Sequence, residues 1–157
     1  MSPIERVRAF FAEKQSDLTI IEMDDDTSTA QLAARALGTE VGQIAKSILF
    51  KTRQSTYVMV ISAGDVRVDT RAMKELIGSK IRMATGDEVE EMTGYTVGGV
   101  CPFALPNPIP IYLDESLKRY EVTYAAAGTS NTAVPATFTQ LQDVTGGLAC
   151  MVTLPPE

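Results

Sequence analysis

Hydrophobic and polar positions along this chain follow two periods, one typical of helices and one typical of strands. Near the N-terminus, Ile4, Val7 and Phe11 recur at helical spacing behind Ser2-Pro3, which suits the first turn of a helix. Capping residues before similar segments, and glycines after them, predict further helices. The predicted helices are 3–14, 30–37, 70–77, 86–93 and 137–144.

Short apolar and β-branched runs predict strands between these helices. The clearest are 45–52 and 56–62, which are joined by Arg53-Gln54-Ser55 and predict a hairpin. The strands are too unevenly spaced for a sandwich and alternate too poorly with helices for a doubly wound sheet. We therefore predict a mixed α/β (α+β) fold in which a curled, barrel-like sheet carries short peripheral helices. The other predicted strands are 18–23, 81–84, 109–113, 121–127, 131–136 and 148–152.

Length and composition narrow the class of protein. A chain of 157 residues fits a single domain, 1–157, and its 45% hydrophobic and 22% charged residues are typical of a soluble globular protein. No apolar run approaches the roughly 18–20 residues of a membrane span. The N-terminus lacks the basic and then apolar pattern of a signal peptide. We therefore expect a cytoplasmic protein with no membrane partner.

The chain contains no His and no Trp. The lack of His excludes Ser-His-Asp and Cys-His catalysis and His metal ligands. Cys101 and Cys150 are too few for a Cys-only zinc site, and a reducing cytoplasm disfavours a disulfide between them. An enzyme built from this chain relies on Lys, carboxylates, hydroxyls, a thiol, main-chain groups or its own substrate.

The charge is unevenly distributed. The chain has a net charge of −6, which argues against indiscriminate nucleic-acid binding, yet residues 46–82 contain eight basic and three acidic residues. This basic segment is either a local phosphate-binding face or an ordinary solvated surface. Its candidate phosphate contacts are Lys51, Arg53, Arg67 and Lys80.

Two segments offer groups that suit chemistry on a carbonyl or phosphate. Lys46 opens a strongly apolar strand, where an ammonium group either lines a pocket or extends into solvent. Gly98-Gly99-Val100-Cys101 allows main-chain N–H groups to approach a ligand closely, and Pro102-Phe103 follows at once. The alternative is a tight connection between strands. A nucleophilic Cys101 has no His to activate it, so a structural or pocket-lining thiol is the simpler interpretation.

A third segment, Gly128-Thr129-Ser130-Asn131, follows a predicted strand. Its hydroxyl and amide groups suit hydrogen bonds to a ribose, a phosphate or an amino group, although the same residues are common in simple turns.

In combination, three blocks resemble the YbaK/ProX family of aminoacyl-tRNA editing domains, which also occurs inserted in bacterial prolyl-tRNA synthetases. The first block is the lysine-led strand 45–51. The second, 88–103, contains a G-x-x-x-P element from Gly98 to Pro102. The third is Gly128-Thr129-Ser130-Asn131 with Thr139-Gln140-Leu141 and Thr145-Gly146 behind it. The resemblance covers roughly residues 20–152.

The resemblance implies a function and a division of roles. It implies hydrolysis of the ester of a mischarged tRNA, most commonly tRNA(Pro), without a metal or another cofactor. Lys46 would anchor the substrate, and the main chain of Gly98, Gly99, Val100 and Cys101 would face the aminoacyl carbonyl, so these form the catalytic set. Substrate-binding residues would be Pro102, Phe103, Gly128, Thr129, Ser130 and Asn131, and the basic segment would face the tRNA.

The resemblance leaves three functions to separate. The first is a free-standing deacylase acting in trans, with aminoacyl-tRNA as its partner, a prolyl-tRNA synthetase as a further candidate partner, and no DNA. The second is a non-catalytic module that binds tRNA ends or a synthetase. The third is a hydrolase or redox protein that depends on Cys101. An intact Lys46 and Gly98–Pro102 loop favour the first.

Overall fold

The computed structural model describes residues 1–156, which form five α-helices and ten strands. Two 3-10 helices, Val41–Gln43 and Glu115–Arg119, connect some of them. The α-helices are α1 Pro3–Glu13, α2 Ala30–Leu37, α3 Thr70–Ile77, α4 Gly86–Thr93 and α5 Phe138–Thr145. The strands are β1 Ile21–Glu22, β2 Ile44–Thr52, β3 Tyr57–Ala63, β4 Arg67–Val68, β5 Ile81–Met83, β6 Ile111–Asp114, β7 Thr123–Ala125, β8 Thr132–Ala136, β9 Leu148–Cys150 and β10 Thr153–Leu154.

The predicted helices are all present because their caps form as the sequence indicates. Ser2, Thr85 and Thr137 each build a reciprocal capping box with the side chain three residues later. Asp69 accepts a hydrogen bond from the backbone N–H of Arg71 at the start of α3. Glycines in left-handed conformation end α2 to α5, where only glycine adopts a positive φ without strain.

The strand predictions are less complete. The predicted hairpin is the antiparallel pair β2–β3, but the predicted strand 18–23 shrinks to β1, a pair of residues at the sheet edge. The two-residue strands β4 and β10, which pair only with each other, were not predicted. A run of two residues is too short to show hydrophobic alternation. These strands are therefore defined by their tertiary pairing and not by a local sequence pattern.

The main sheet is mixed and has the order β1-β8-β7-β2-β3-β6-β9, with β5 added beside β2. Pairs β2–β7, β3–β6 and β6–β9 are parallel, and the other pairs are antiparallel. Side chains of five strands meet in one core together with α1 and α5, so the sheet curls around that core; examples are Leu49, Ile61, Leu113, Ala125 and Val134. A smaller core beneath α3 covers the opposite face of β2 and β3.

The register leaves an opening beside β2. Strand β7 pairs with β2 only at Ile44 and Ala45, and β5 pairs with it only from Phe50 to Thr52. Between these two contacts β2 has no strand neighbour on that side. The lysine-led segment of β2 crosses this opening, so the fold places Lys46 and Ser47 at the edge of a cavity.

Candidate active site

The opening beside β2 leads into a cavity of about 310 Å³. The wall is mostly small and apolar, and includes Ala30, Ala33, Val89, Ala125 and Ala133. Exposed side chains of Met83 and Val97 lie among the lining residues. Cavities of this size, apolar with a few polar groups, are typical of small-ligand sites. The cavity is therefore the candidate site.

Strand direction gives Ser47 a distinctive position in this wall. The backbone N–H of Thr52 donates to Thr56 O on the β3 side, whereas Leu49 O accepts from the backbone N–H of Ala84 on the β5 side. Because successive residues of a strand direct their main-chain groups to opposite sides, those of Ser47 point the same way as those of Leu49. The pairing of β7 has ended and that of β5 has not begun, so the Ser47 N–H faces the opening.

Lys46 lines the cavity, and its ammonium group is held in place. Lys46 Nζ donates to the Val66 carbonyl oxygen at 2.7 Å. Burial lowers the pKa of Lys46 from its ordinary value, and the negative charge of Asp65 opposes that effect. Arg119 keeps Asp65 charged, since its guanidinium donates two hydrogen bonds to the carboxylate and lowers the pKa of Asp65. The result is a positioned cation with two N–H groups beyond the one that Val66 engages.

The second and third blocks of the sequence pattern are packed directly on each other. A Cβ on Gly99 would lie 2.7 Å from backbone atoms of Gly128 and Thr129, so only glycine fits there. A Cβ on Gly98 would lie 3.1 Å from the Cβ of Ser28 and 3.7 Å from that of Ser130. Gly98 and Val100 line the cavity, and Gly99 is the point at which the two loops interlock.

The second half of that loop lies in the core instead of the cavity. Cys101 and Phe103 are fully buried and Pro102 is buried, and none of the three is among the cavity-lining residues. The Phe103 ring packs edge-on against Phe11 at 4.8 Å, and the Phe103 carbonyl accepts a hydrogen bond from the Tyr95 hydroxyl at 2.5 Å. Burial raises the pKa of the Cys101 thiol to about 12, which disfavours the nucleophilic thiolate.

Arg6 of α1 contacts the residues at the end of the Gly98–Phe103 loop and helps to hold them in place. Its guanidinium donates to the Ala104 carbonyl oxygen at 2.7 Å and lies 4.7 Å from the centre of the Tyr95 ring. Ala104 has a positive φ of 55°, an uncommon conformation for a residue with a side chain. The sequence pattern did not single out Arg6, because nothing local links it to residues almost a hundred positions away.

The third loop forms its own hydrogen-bond network. Thr129 Oγ1 donates to Asn131 Oδ1 at 2.7 Å, and Asn131 Nδ2 donates to the Met23 carbonyl at 3.1 Å. Ser130 is exposed, and its carbonyl accepts from the Thr27 N–H. None of residues 128–131 is among the cavity-lining residues. Their observed contacts position the loop and the Thr27 segment, and a direct substrate contact stays a prediction.

The structure does not bring the four predicted tRNA contacts together. Arg53 and Lys80 are exposed and adjacent, since the Arg53 N–H donates to Lys80 O at 3.1 Å. Lys51 forms a 2.9 Å ion pair with Glu88. Arg67 directly follows Val66, the residue bonded to Lys46, and so lies near the other end of β2, roughly 20 Å away at about 3.3 Å per residue. Arg67 is therefore separated from the other three.

Sequence reasoning missed several polar residues of the cavity, among them two whose side chains have no hydrogen-bond partner in the described part of the chain. Thr27 and Ser47 both line the cavity, and their side-chain oxygens are buried without a hydrogen-bond partner in residues 1–156. Ser47 adjoins the lysine singled out by the pattern, so its position along the strand was a usable signal. Thr27 sits among turn-forming residues that gave no such signal.

Two broader observations concern cofactors and membranes. Among residues 1–156, no three His, Cys, Asp or Glu side chains are grouped closely enough to bind a metal ion. In the same part of the chain, no helix is long and apolar enough to cross a membrane.

The fold is shared with a solved structure. The crystal structure of a protein proposed as a trans-editing enzyme for prolyl-tRNA synthetase superposes with a TM-score of 0.91 at 34% identity, covering 99% of each chain. The predicted mixed fold, with its curled sheet and short helices, is confirmed by this match and by the strand pairing.

Sequence comparison gives the same result. The uncharacterized protein YwhH of Bacillus subtilis is 33% identical over 140 residues, or 89% of each chain. EbsC of Enterococcus faecalis, proposed as a Cys-tRNA(Pro)/Cys-tRNA(Cys) deacylase, is 28% identical over 66% of this chain and 64% of its own. A proline–tRNA ligase of Bacillus pumilus is 35% identical over 64% of this chain but only 17% of its own length. Residues 24–144 match the aminoacyl-tRNA editing domain, and the chain therefore belongs to that family.

Proposed function

We propose that this protein is a trans-editing aminoacyl-tRNA deacylase, which hydrolyses the ester of a mischarged tRNA in the cytoplasm. The preferred substrate is tRNA(Pro) carrying a small non-cognate amino acid. The observation that carries the proposal is the small apolar cavity beside β2. At its edge lie the Lys46 ammonium group, held by Val66, and the main-chain N–H of Ser47. The trans assignment is supported by the solved relative, which aligns over 99% of both chains and is itself proposed to act in trans.

The reaction needs little more than orientation and polarisation. A water oxygen attacks the ester carbonyl carbon, the carbonyl oxygen becomes an oxyanion, and the bond to the terminal ribose oxygen breaks. The proton that the attacking water loses is matched by the one that the ribose oxygen takes up, so the products are the free amino acid and uncharged tRNA. Because the ester is already activated, a positioned cation and N–H donors that stabilise the oxyanion supply much of the rate. This chemistry requires no His.

Lys46 is assigned the anchoring role. Its ammonium group retains two N–H donors beyond the Val66 contact, and Val66 fixes where these donors can point. Gly98 and Val100 line the same cavity, and their main-chain N–H groups are assigned to the aminoacyl carbonyl. Gly99 keeps that loop against the Gly128 loop, while Cys101, Pro102 and Phe103 support it from the core.

The test is a deacylation assay with tRNA(Pro) charged separately with Ala, Cys, Ser, Thr and Pro, in the presence of a chelator. The wild-type protein should release one or more non-cognate amino acids and spare Pro. Lys46→Ala should lose most of that activity, whereas Cys101→Ala, a change in a buried core thiol, should retain it. If Cys101→Ala alone abolishes turnover while folding normally, a thiol mechanism replaces this one. Binding of tRNA without release of any amino acid would identify a non-catalytic binding module instead.

A further inference from the structure

Two hydroxyl groups in the cavity wall lack any partner. Thr27 is only 8% exposed, and neither its Oγ1 nor the Oγ of Ser47 has a hydrogen bond within residues 1–156. A buried hydroxyl without a partner destabilises the folded protein, so two in one wall are unusual. Both residues line the same cavity.

Several other polar side chains of the wall already have a hydrogen-bond partner. Thr29 Oγ1 accepts from the Leu32 N–H at the start of α2, and Thr132 Oγ1 donates to the Thr129 carbonyl oxygen. Lys46 donates to Val66. Once these interactions are accounted for, Thr27 and Ser47 are the buried hydroxyls of this wall that remain free to bind a ligand.

Resting on the proposed function, we infer that Thr27 and Ser47 select an aminoacyl group with a side-chain hydroxyl, namely serine or threonine. A hydroxyl both donates and accepts, so it can bond to two other hydroxyls, while the small alanine and valine side chains of the wall surround its carbon atoms. Rotation about Cα–Cβ, between staggered positions, turns either protein hydroxyl from its covered position toward the cavity that its residue lines.

This pair would give the cavity a preference that size alone cannot. Apolar walls distinguish side chains differing by one small group only modestly. A site whose polar groups are completed by the substrate hydroxyl discriminates against alanine more strongly, because alanine leaves those groups unpaired. We expect seryl or threonyl esters to be hydrolysed at least about 10-fold faster than the alanyl ester.

The experiment measures kcat/KM for seryl-, threonyl- and alanyl-tRNA(Pro) with the wild-type protein and three variants. Thr27→Val, which preserves side-chain shape, and Ser47→Ala, which keeps the Ser47 main-chain N–H, should each lower the ratio of hydroxyl-ester to alanyl-ester kcat/KM by about 10-fold. Ser62→Ala is the matched control, because Ser62 Oγ is also buried without a partner but does not line the cavity. It should preserve the selectivity.

The possible outcomes separate this inference from the proposed function. Efficient release of alanine without a preference for serine or threonine would keep the deacylase and overturn the hydroxyl selectivity. An equal loss on all three esters in Thr27→Val would show that its hydroxyl binds a group common to every substrate, and would also overturn it. Release of no amino acid from any of the three would overturn both.

Discussion

The two ends of strand β2 carry lysines whose pKa values are shifted in opposite directions. At the cavity end, Lys46 is partly buried, bonds to the Val66 carbonyl, and has a lowered pKa because burial disfavours its charge. At the hairpin end, Lys51 pairs with Glu88 and has a pKa raised chiefly by that hydrogen bond. One lysine is held by a neutral group and the other by a counter-charge.

This difference determines what each lysine can offer to a ligand. The Val66 carbonyl orients Lys46 without neutralising it, so its positive charge stays available at the cavity. The Lys51 ammonium group is already engaged by the Glu88 carboxylate, which also receives two hydrogen bonds from Arg82. A basic residue in the sequence is therefore a weak guide to ligand binding until its partner is known.

Replacement of the two lysines should separate their roles most sharply. Lys46→Met should reduce kcat/KM for deacylation by roughly 100-fold or more, as loss of a transition-state contact typically does. Lys51→Met should change it by less than about 3-fold, because Lys51 does not line the cavity and its ammonium group is engaged by Glu88. Circular dichroism and thermal unfolding provide the folding control for both. Comparable losses in the two folded variants would remove the distinction between the ends of β2.

The contrast between the lysines also shows which features of the structure can be predicted from the sequence. The helices and the β2–β3 hairpin follow from local signals: caps, glycine ends and apolar runs. The same signals place Lys46 at the start of an apolar strand, whereas its role at the site comes from the family resemblance and stays a prediction. The opening beside β2 does not follow from local signals, because it depends on where β5 and β7 stop pairing with β2. The division of the Gly98–Phe103 loop between cavity and core cannot be predicted locally either, since Cys101 is buried only in the folded cluster that it shares with Val7 and Phe11 of α1.

Replacing one glycine near each end of β2 tests how much tight packing there contributes to the free energy of unfolding. In Gly99→Ala, the new Cβ would meet backbone atoms of Gly128 and Thr129 at 2.7 Å, so we expect a loss of about 1–3 kcal/mol in unfolding free energy. Gly86 begins α4 at the hairpin end and has no neighbour within 4 Å of such a Cβ. Gly86→Ala should therefore be neutral or stabilising by up to about 1 kcal/mol. Urea unfolding measures both, and equal stabilities would argue against the interlocked loops.

The hairpin end supplies a smaller effect on tRNA binding. Arg53 and Lys80 are exposed neighbours, so Arg53→Ala/Lys80→Ala should weaken binding several-fold and reduce the slope of log K against log salt by roughly one to two. Lys51→Ala should reduce the slope by less, since the Lys51 ammonium group is engaged by Glu88 and is not free to contact a phosphate. Titrations of uncharged tRNA at several salt concentrations measure this slope. An unchanged slope in the double variant would show that this surface does not contact phosphates.

The smallest effect concerns stability in acid. Hydrogen bonds from Arg82, and then from Lys51, lower the pKa of Glu88 well below its ordinary value of 4.5. A carboxyl group whose pKa is lowered on folding stabilises the protein fully above the unfolded-state pKa, and the contribution fades as pH falls toward the folded-state pKa. The stability difference between wild type and Glu88→Gln should thus be constant from pH 7 to about pH 5 and shrink below about 4.5.

Denaturant unfolding at a series of pH values checks that prediction, with Glu91→Gln as the control on the same helix. Glu91 is exposed, and its replacement should produce little difference at any pH. A Glu88→Gln difference that persists undiminished into strong acid would mean that the charge of Glu88 is not what joins α4 to the hairpin. In that case the ion pair between Lys51 and Glu88 could no longer explain why this end of β2 differs from the cavity end.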